Sequence, residues 1–219
     1  SSITNFPELM DGRLKTLHPK IHGALLGIRD NENHLVSMEA HKIPEIDLLV
    51  VNLYPFEKII KIDKNFSKII ENIDIGGPAM IRAAAKNFKF VSVLVDQEDY
   101  ESFFIEVLKN KGCTTKKYRR TLAEIAFART AEYDSIISQW MNRESKNKEP
   151  RRLVISSKCK QSLRYGENPH QFASYYQTHF NEDILSSCIQ HQGKELSFNN
   201  LNDLNAAIEL IRELSLIHI

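Results

Sequence analysis

The chain has 219 residues, 42% of them hydrophobic and 26% charged, and 29 basic against 28 acidic side chains leave a net charge of +1. That length and mix fit an ordinary globular protein of one domain or two smaller ones, with enough chain for a core that needs neither metal nor disulfide. The near-zero charge argues against nucleic acid as a dominant electrostatic partner, and no apolar run approaches the length of a membrane span.

The chain opens at Ser1 without methionine, reaches residues 6–9 (FPEL) with no element before them, and stops on LSLIHI straight off a helical pattern. Both ends read as cuts. The first dense cluster is residues 12–22 (GRLKTLHPKIH), with one Arg, two Lys and two His around a predicted turn. Such a group can hold an anionic substrate or steer proton transfer, and a solvated basic loop has the same composition. His18 and His22 are four apart, but Pro19 argues against a helix starting earlier and no Glu accompanies them as in a zinc hydrolase, so no metal site is expected.

Residues 47–53 (DLLVVNL) are a short apolar run between Pro44 and Pro55, predicting a strand buried on both faces, and residues 90–95 (FVSVLV) predict a second. Between them Gly76-Gly77-Pro78 and AMIRAAAKN predict a helix over 78–87. Strand, helix, strand in this order implies a parallel α/β sheet. Asn52-Leu53-Tyr54-Pro55-Phe56 falls where the first strand ends, the place where open α/β sheets gather ligands; an aromatic-packed turn is the plainer alternative. Residues 73–78 (IDIGGP) offer Asp74 as an acid or base. Gly76 and Gly77 let backbone amides approach a ligand at a helix start, although such pairs are common. Arg82 and Lys86 are four apart on one face of that helix.

Residues 99–110 predict a helix stopped by Gly112, and 116–142 a long one whose stripe of Leu122, Ile125, Ala126, Tyr133, Ile136, Ile137 and Trp140 is a core face. KKYRR at 116–120 reads as a solvated helix start. Residues 144–152 (ESKNKEPRR) are the linker candidate. Beyond them, residues 163–171 (LRYGENPHQ) read as a shaped binding loop with Arg164 suited to a phosphate or carboxylate. Residues 193–203 (GKELSFNNLND) lead into a helix near 201–214 with a stripe of Leu204, Ile208 and Ile211, and their asparagines read by default as helix caps. Cys113, Cys159 and Cys188 are odd in number, widely spaced and form no Cys-x-x-Cys pair, which fits a reducing cytosol.

Taken in order, GRLKTLHPKIHGALL, NLYPF, IDIGGPAMIRAAAKN, LRYGENPHQ and GKELSFNNLND resemble the bifunctional AICAR transformylase/IMP cyclohydrolase family over nearly the whole chain. The resemblance implies an α/β fold: a methylglyoxal-synthase-like cyclohydrolase domain over 1–143, a linker over 144–152, and over 153–219 the start of a transformylase similar to cytidine deaminase. It implies the last two steps of purine synthesis, formyl transfer to AICAR from 10-formyltetrahydrofolate as cosubstrate and cyclisation of formyl-AICAR to IMP. It further implies purine-precursor ribonucleotides as ligands, a homodimer in the cytoplasm, and no metal or cofactor for the cyclohydrolase. Lys15, Tyr54, Asp74 and Lys86 match the family's catalytic group. Thr16, Asn52, Gly76 and Gly77 would line the base or ribose, and Arg164, Tyr165 and Asn200 match positions that contact the AICAR nucleotide. The family's N-terminal strand, phosphate loops and later lysine–histidine pair have no counterpart here, so the expectation is weak cyclohydrolase activity at most and no transformylase activity. Methylglyoxal synthase and the effector domain of a carbamoyl phosphate synthetase share the expected fold, but neither accounts for LRYGENPHQ.

Overall fold

A computed structural model describes residues 3–4, 6–7, 9–146, 148–180 and 184–214. The terminal residues on which the reading of cut ends rests, Ser1 and 215–219, lie outside these. The chain divides into two units, Ser1–Pro150 and Arg151–Ile219.

In the first unit a 3-10 turn over Met10–Gly12 precedes α1 (Pro19–Leu26) and α2 (Glu32–Ala40). Strand β1 (Leu48–Val50) leads to α3 (Phe56–Ile62) and α4 (Phe66–Glu71), then α5 (Gly76–Lys86) and β2 (Ser92–Leu94). Helices α6 (Tyr100–Lys109) and α7 (Lys116–Glu144) complete it. β1 and β2 pair in parallel, with Leu48, Leu49 and Val50 opposite Ser92, Val93 and Leu94. The predicted parallel strand–helix–strand unit is therefore present.

Local chemistry explains the boundaries. Pro19 opens α1, where its missing N–H costs nothing, and the His18 ring caps the helix by accepting from the Lys20 N–H through Nδ1 at 3.1 Å. α6 stops as expected at Gly112, whose φ of +91° lets its N–H return to the Val107 carbonyl at 2.8 Å. α7 begins under a Thr115 cap, and Glu106 accepts from both the Thr115 N–H and its hydroxyl. Those two bonds hold the Glu106 carboxyl below its ordinary pKa.

The core lies between α5, α7 and β2. Ile81, Ala84 and Ala85 of α5, Val91 to Val95 around β2, and Leu122, Ala126, Tyr133, Ile136 and Trp140 of α7 are all buried. The expected α7 stripe faces inward, with Ile125 and Ile137 half-buried at its margins. Phe56 packs edge-on against both Tyr133 and Trp140, and Phe66 stacks on Trp140.

Several expectations need correcting. The 47–53 run forms a strand of only three residues and is not buried on both faces: Leu48 and Val50 are 39% and 47% exposed. Its sheet has two strands among the described residues, so β1 has a partner on one side only. The 78–87 helix starts two residues earlier, taking both glycines into its first turn. Arg119 in the charge run is no solvated cation; its guanidinium donates to the carbonyls of Phe88, Lys89 and Thr114 and ties the start of α7 to the turn before β2.

In the second unit β3 (Ser157–Ser162) and β4 (Ser174–Thr178) pair antiparallel, with an irregularity between Cys159 and Gln161. Neither was expected, because both strands are polar and largely exposed and give no apolar run to read. A short α8 (Ile184–Ser187) and α9 (Phe198–Glu213) follow. α9 starts three residues before the predicted position, where Ser197 and Asn200 form a capping box. Its apolar stripe is not a buried face: Leu204 is 38% and Ile211 61% exposed, and no described residue of α9 is buried.

Candidate active site

An open cavity of about 590 Å³ lies in the first unit, where the turn after the 3-10 element, the end of β1 and the start of α5 meet. Lys15, Thr16, Tyr54, Asp74, Gly76 and Gly77 all line it. Three separated motifs of the sequence therefore converge on one surface.

Each arrives by a local device. Gly12, at φ +90°, turns the chain after Met10–Gly12 and accepts from the Lys15 N–H, which sets the turn carrying Lys15 and Thr16. Tyr54 follows β1 and is held by a tight turn in which the Phe56 N–H reaches its carbonyl at 2.7 Å, while Phe56 is fully buried beneath. The Tyr54 side is 55% exposed and free to meet a ligand. Asp74 is half-buried, and its Oδ1 accepts from the Gly77 N–H at 2.7 Å, so the carboxylate also caps the first turn of α5. The positive end of the α5 dipole points at the same place.

The two glycines are needed for close approach. A Cβ on Gly76 would collide with the Thr16 hydroxyl, and one on Gly77 would lie 2.5 Å from Asp74 Oδ2 and 2.8 Å from Leu53 Cδ2. Thr16 and Asp74 can sit against the helix start only because nothing projects there.

The remaining expected residues of this unit lie elsewhere. Asn52 is outside the cavity lining and exchanges hydrogen bonds with the Tyr100 hydroxyl. Lys86 is exposed at the other end of α5, about 15 Å along the axis from Gly76 at 1.5 Å per residue. Arg82, on the same face, lies over the Phe127 ring of α7. His18 spends its Nδ1 on the α1 cap.

The cavity also contains residues not singled out from sequence. Arg13 and Glu71 form an ion pair on its wall, both more than half exposed. Glu71 lies at the end of α4, 58 residues from Arg13, and nothing in the sequence links them. Tyr133 was read only as a core residue, yet its hydroxyl accepts from the Asp74 N–H at 3.0 Å. Burial pushes the Tyr133 phenol up to about 12, so the hydroxyl stays protonated through the neutral range.

In the second unit Arg164, Tyr165 and Asn200 come together around the start of α9. The Arg164 N–H donates to the Leu196 carbonyl, and the Phe198 N–H to the Tyr165 carbonyl. The Arg164 guanidinium lies 4.9 Å from the centre of the Tyr165 ring and donates to its hydroxyl, which holds that phenol below its ordinary pKa. Asn200 Oδ1 is engaged by the Ser197 N–H and hydroxyl, the helix cap read by default from the sequence. The loop itself is closed by a bond from Gly166 N–H to the Gln171 carbonyl and by Gln171 Oε1 accepting from the Asn168 N–H. Beside it Glu167, His170, Phe172 and Phe198 line a second, shallower depression of about 580 Å³; Glu167 and His170 belong to the loop read as a binding loop, though none of the four was singled out individually.

The first unit thus belongs to the class of α/β domains, with a cavity at the end of β1, and residues 1–79 match the model of the MGS-like domain. Residues 84–218 match the model of the AICARFT/IMPCHase bienzyme, and the chain belongs to that family. The bifunctional purine biosynthesis protein PurH of Bradyrhizobium diazoefficiens is 57% identical over 213 residues, 97% of this chain and 40% of that protein. Its counterpart from Dinoroseobacter shibae is 53% identical over the same shares. The chain therefore spans about 40% of the length of the curated relatives it matches. Among solved structures, the crystal structure of ForH is similar with a TM-score of 0.54 and 33% identity, covering 64% of this chain and 73% of that one.

Proposed function

We propose that the first unit closes the second ring of a purine nucleotide, converting formyl-AICAR to IMP, and that the second unit begins the domain that transfers the formyl group from 10-formyltetrahydrofolate to AICAR. One observation carries the reading: Lys15, Thr16, Tyr54 and Asp74 surround a single cavity at the glycine-built start of α5.

In the cyclisation the carboxamide nitrogen attacks the formyl carbon and gives one proton to the formyl oxygen. The resulting hydroxyl departs as water with the hydrogen of the former formamide nitrogen, leaving the aromatic ring. An amide nitrogen is a weak nucleophile, so the protein must hold the two groups together, stabilise charge on the formyl oxygen and move protons. The Lys15 ammonium supplies positive charge at that oxygen, with Lys86 as a more distant cation outside the cavity. Asp74 orients the carboxamide by accepting its N–H, and Tyr54 relays the proton. Thr16, Asn52, Gly76 and Gly77 border the base or ribose. Lys15 lines the cavity and Lys86 does not, which favours Lys15 as the group nearer the reacting atoms.

Within the same reading, Arg164, Tyr165 and Asn200 contact the AICAR nucleotide, the domains divide at 144–152, and the enzyme works in the cytoplasm as a homodimer. The test is optical. Purified chain mixed with formyl-AICAR should produce IMP above the uncatalysed rate. Lys15→Ala should slow it by about 100-fold, the usual cost of losing an oxyanion-stabilising donor, and Lys86→Ala should slow it without lowering Tm. A rate equal to background, or one indifferent to Lys15→Ala, contradicts the proposal.

A further inference from the structure

We infer that Tyr133, on the core face of α7, is a positioning residue for the reaction: its hydroxyl sets the backbone from which Asp74 enters the cavity. The inference rests on the cyclohydrolase reading above.

Tyr133 is 1% exposed and is not itself one of the residues that line the cavity. Its hydroxyl lies below the 72–74 segment, accepting from the Asp74 N–H at 3.0 Å and donating to the Asn72 carbonyl at 3.4 Å. One donor and one acceptor are thus spent on two backbone groups two residues apart. Those groups precede α5 and have no place in its hydrogen-bond ladder. Asp74 Oδ1 is fixed from the other side by the Gly77 N–H. Asp74 is therefore fixed at two points, its carboxylate by the helix start and its backbone N–H by the phenol.

The phenol is itself held. Its ring packs edge-on against Phe56, the buried anchor of the turn that presents Tyr54. A single core side chain thus touches the supports of two cavity residues. The raised pKa of the buried phenol keeps its proton in place, so the donor–acceptor arrangement is constant through the working range.

Tyr133→Phe retains the ring and removes the hydroxyl. Cyclisation kinetics of the purified chain should show kcat about 10-fold lower with KM little changed, a shift typical of misplacing a catalytic group. Asp74→Asn should lower kcat further, and Tyr133→Phe added to Asp74→Asn should change nothing more, because the hydroxyl acts through that carboxylate. Leu122→Ala, which disturbs the buried face of the same helix about three turns away, should lower Tm and leave kcat as it was. If Tyr133→Phe lowers Tm but not kcat, or if its effect multiplies with that of Asp74→Asn, the inference is overturned while the cyclohydrolase reading stands. If Asp74→Asn itself has no effect, the catalytic role of Asp74 fails instead, and the positioning role with it. Should Tyr133→Phe not fold, amide exchange in the unsubstituted chain decides: protection of the Asp74 N–H above that of the exposed loops is expected, and exchange at the loop rate overturns the inference.

Discussion

Gly76 leaves no room for a methyl group beside the Thr16 hydroxyl, and this contact joins two motifs sixty residues apart in the chain. Alanine there would favour the helix by its propensity, yet the backbone or Thr16 must move to admit it. Gly76→Ala is expected to destabilise the first unit by about 1–3 kcal/mol, the range for overpacking, and to weaken nucleotide binding. Thermal unfolding with and without IMP checks both parts; a neutral or stabilising effect would mean that Thr16 does not lie against the helix start. The glycine pair was visible in the sequence, but only part of its reason was. The pair reads as room for backbone amides to approach a ligand; the structure adds that it is also the room in which Thr16 and Asp74 lie against the first turn of α5. Tyr133 teaches the same lesson in reverse. Its helical period marked it as core, and periodicity says nothing of where a hydroxyl points.

At the scale of elements, legibility followed burial. Pro78 and the alanines placed α5, the apolar stripe placed α7 and the apolar run placed β2, each within two or three residues, and all three contribute buried side chains to the core. β1 reads as a doubly buried strand but is covered only in part, so its composition overstates its burial in the described chain. α9 shows the same gap more strongly: a correct 3.6-residue stripe over Leu204, Ile208 and Ile211 stays largely open. Hydrophobic period reports a face that some surface is meant to cover, not that the cover is present. The contrast is measurable. Ile81→Ala, at a fully buried position of α5, should cost about 2–5 kcal/mol. Ile211→Ser, at a position 61% exposed, should change stability by no more than about 0.5 kcal/mol. Denaturant titration of the two variants tests this, and a large loss from Ile211→Ser would show that α9 is covered in solution.

For the whole molecule, the two units differ in kind. The apolar core residues all lie in the first, between Ala24 and Trp140, while in the second, among the described residues, no apolar side chain is buried and backbone bonds tie the 163–171 loop to the start of α9. The sequence carried the order of motifs across both units, and that order is what pointed to the family. It could not show which residues share a surface: Lys15, Tyr54 and Asp74 meet, whereas Lys86 stands at the far end of the same helix as Gly76. The central claim is that a purine nucleotide occupies the cavity at the start of α5. Titrating IMP into the 15N-labelled chain and following amide shifts tests it most directly, because weak binding is still detected. The account predicts saturable shifts concentrated at Lys15, Thr16, Tyr54, Asp74, Gly76 and Gly77. Shifts centred elsewhere in the first unit, or none at millimolar IMP, would contradict it.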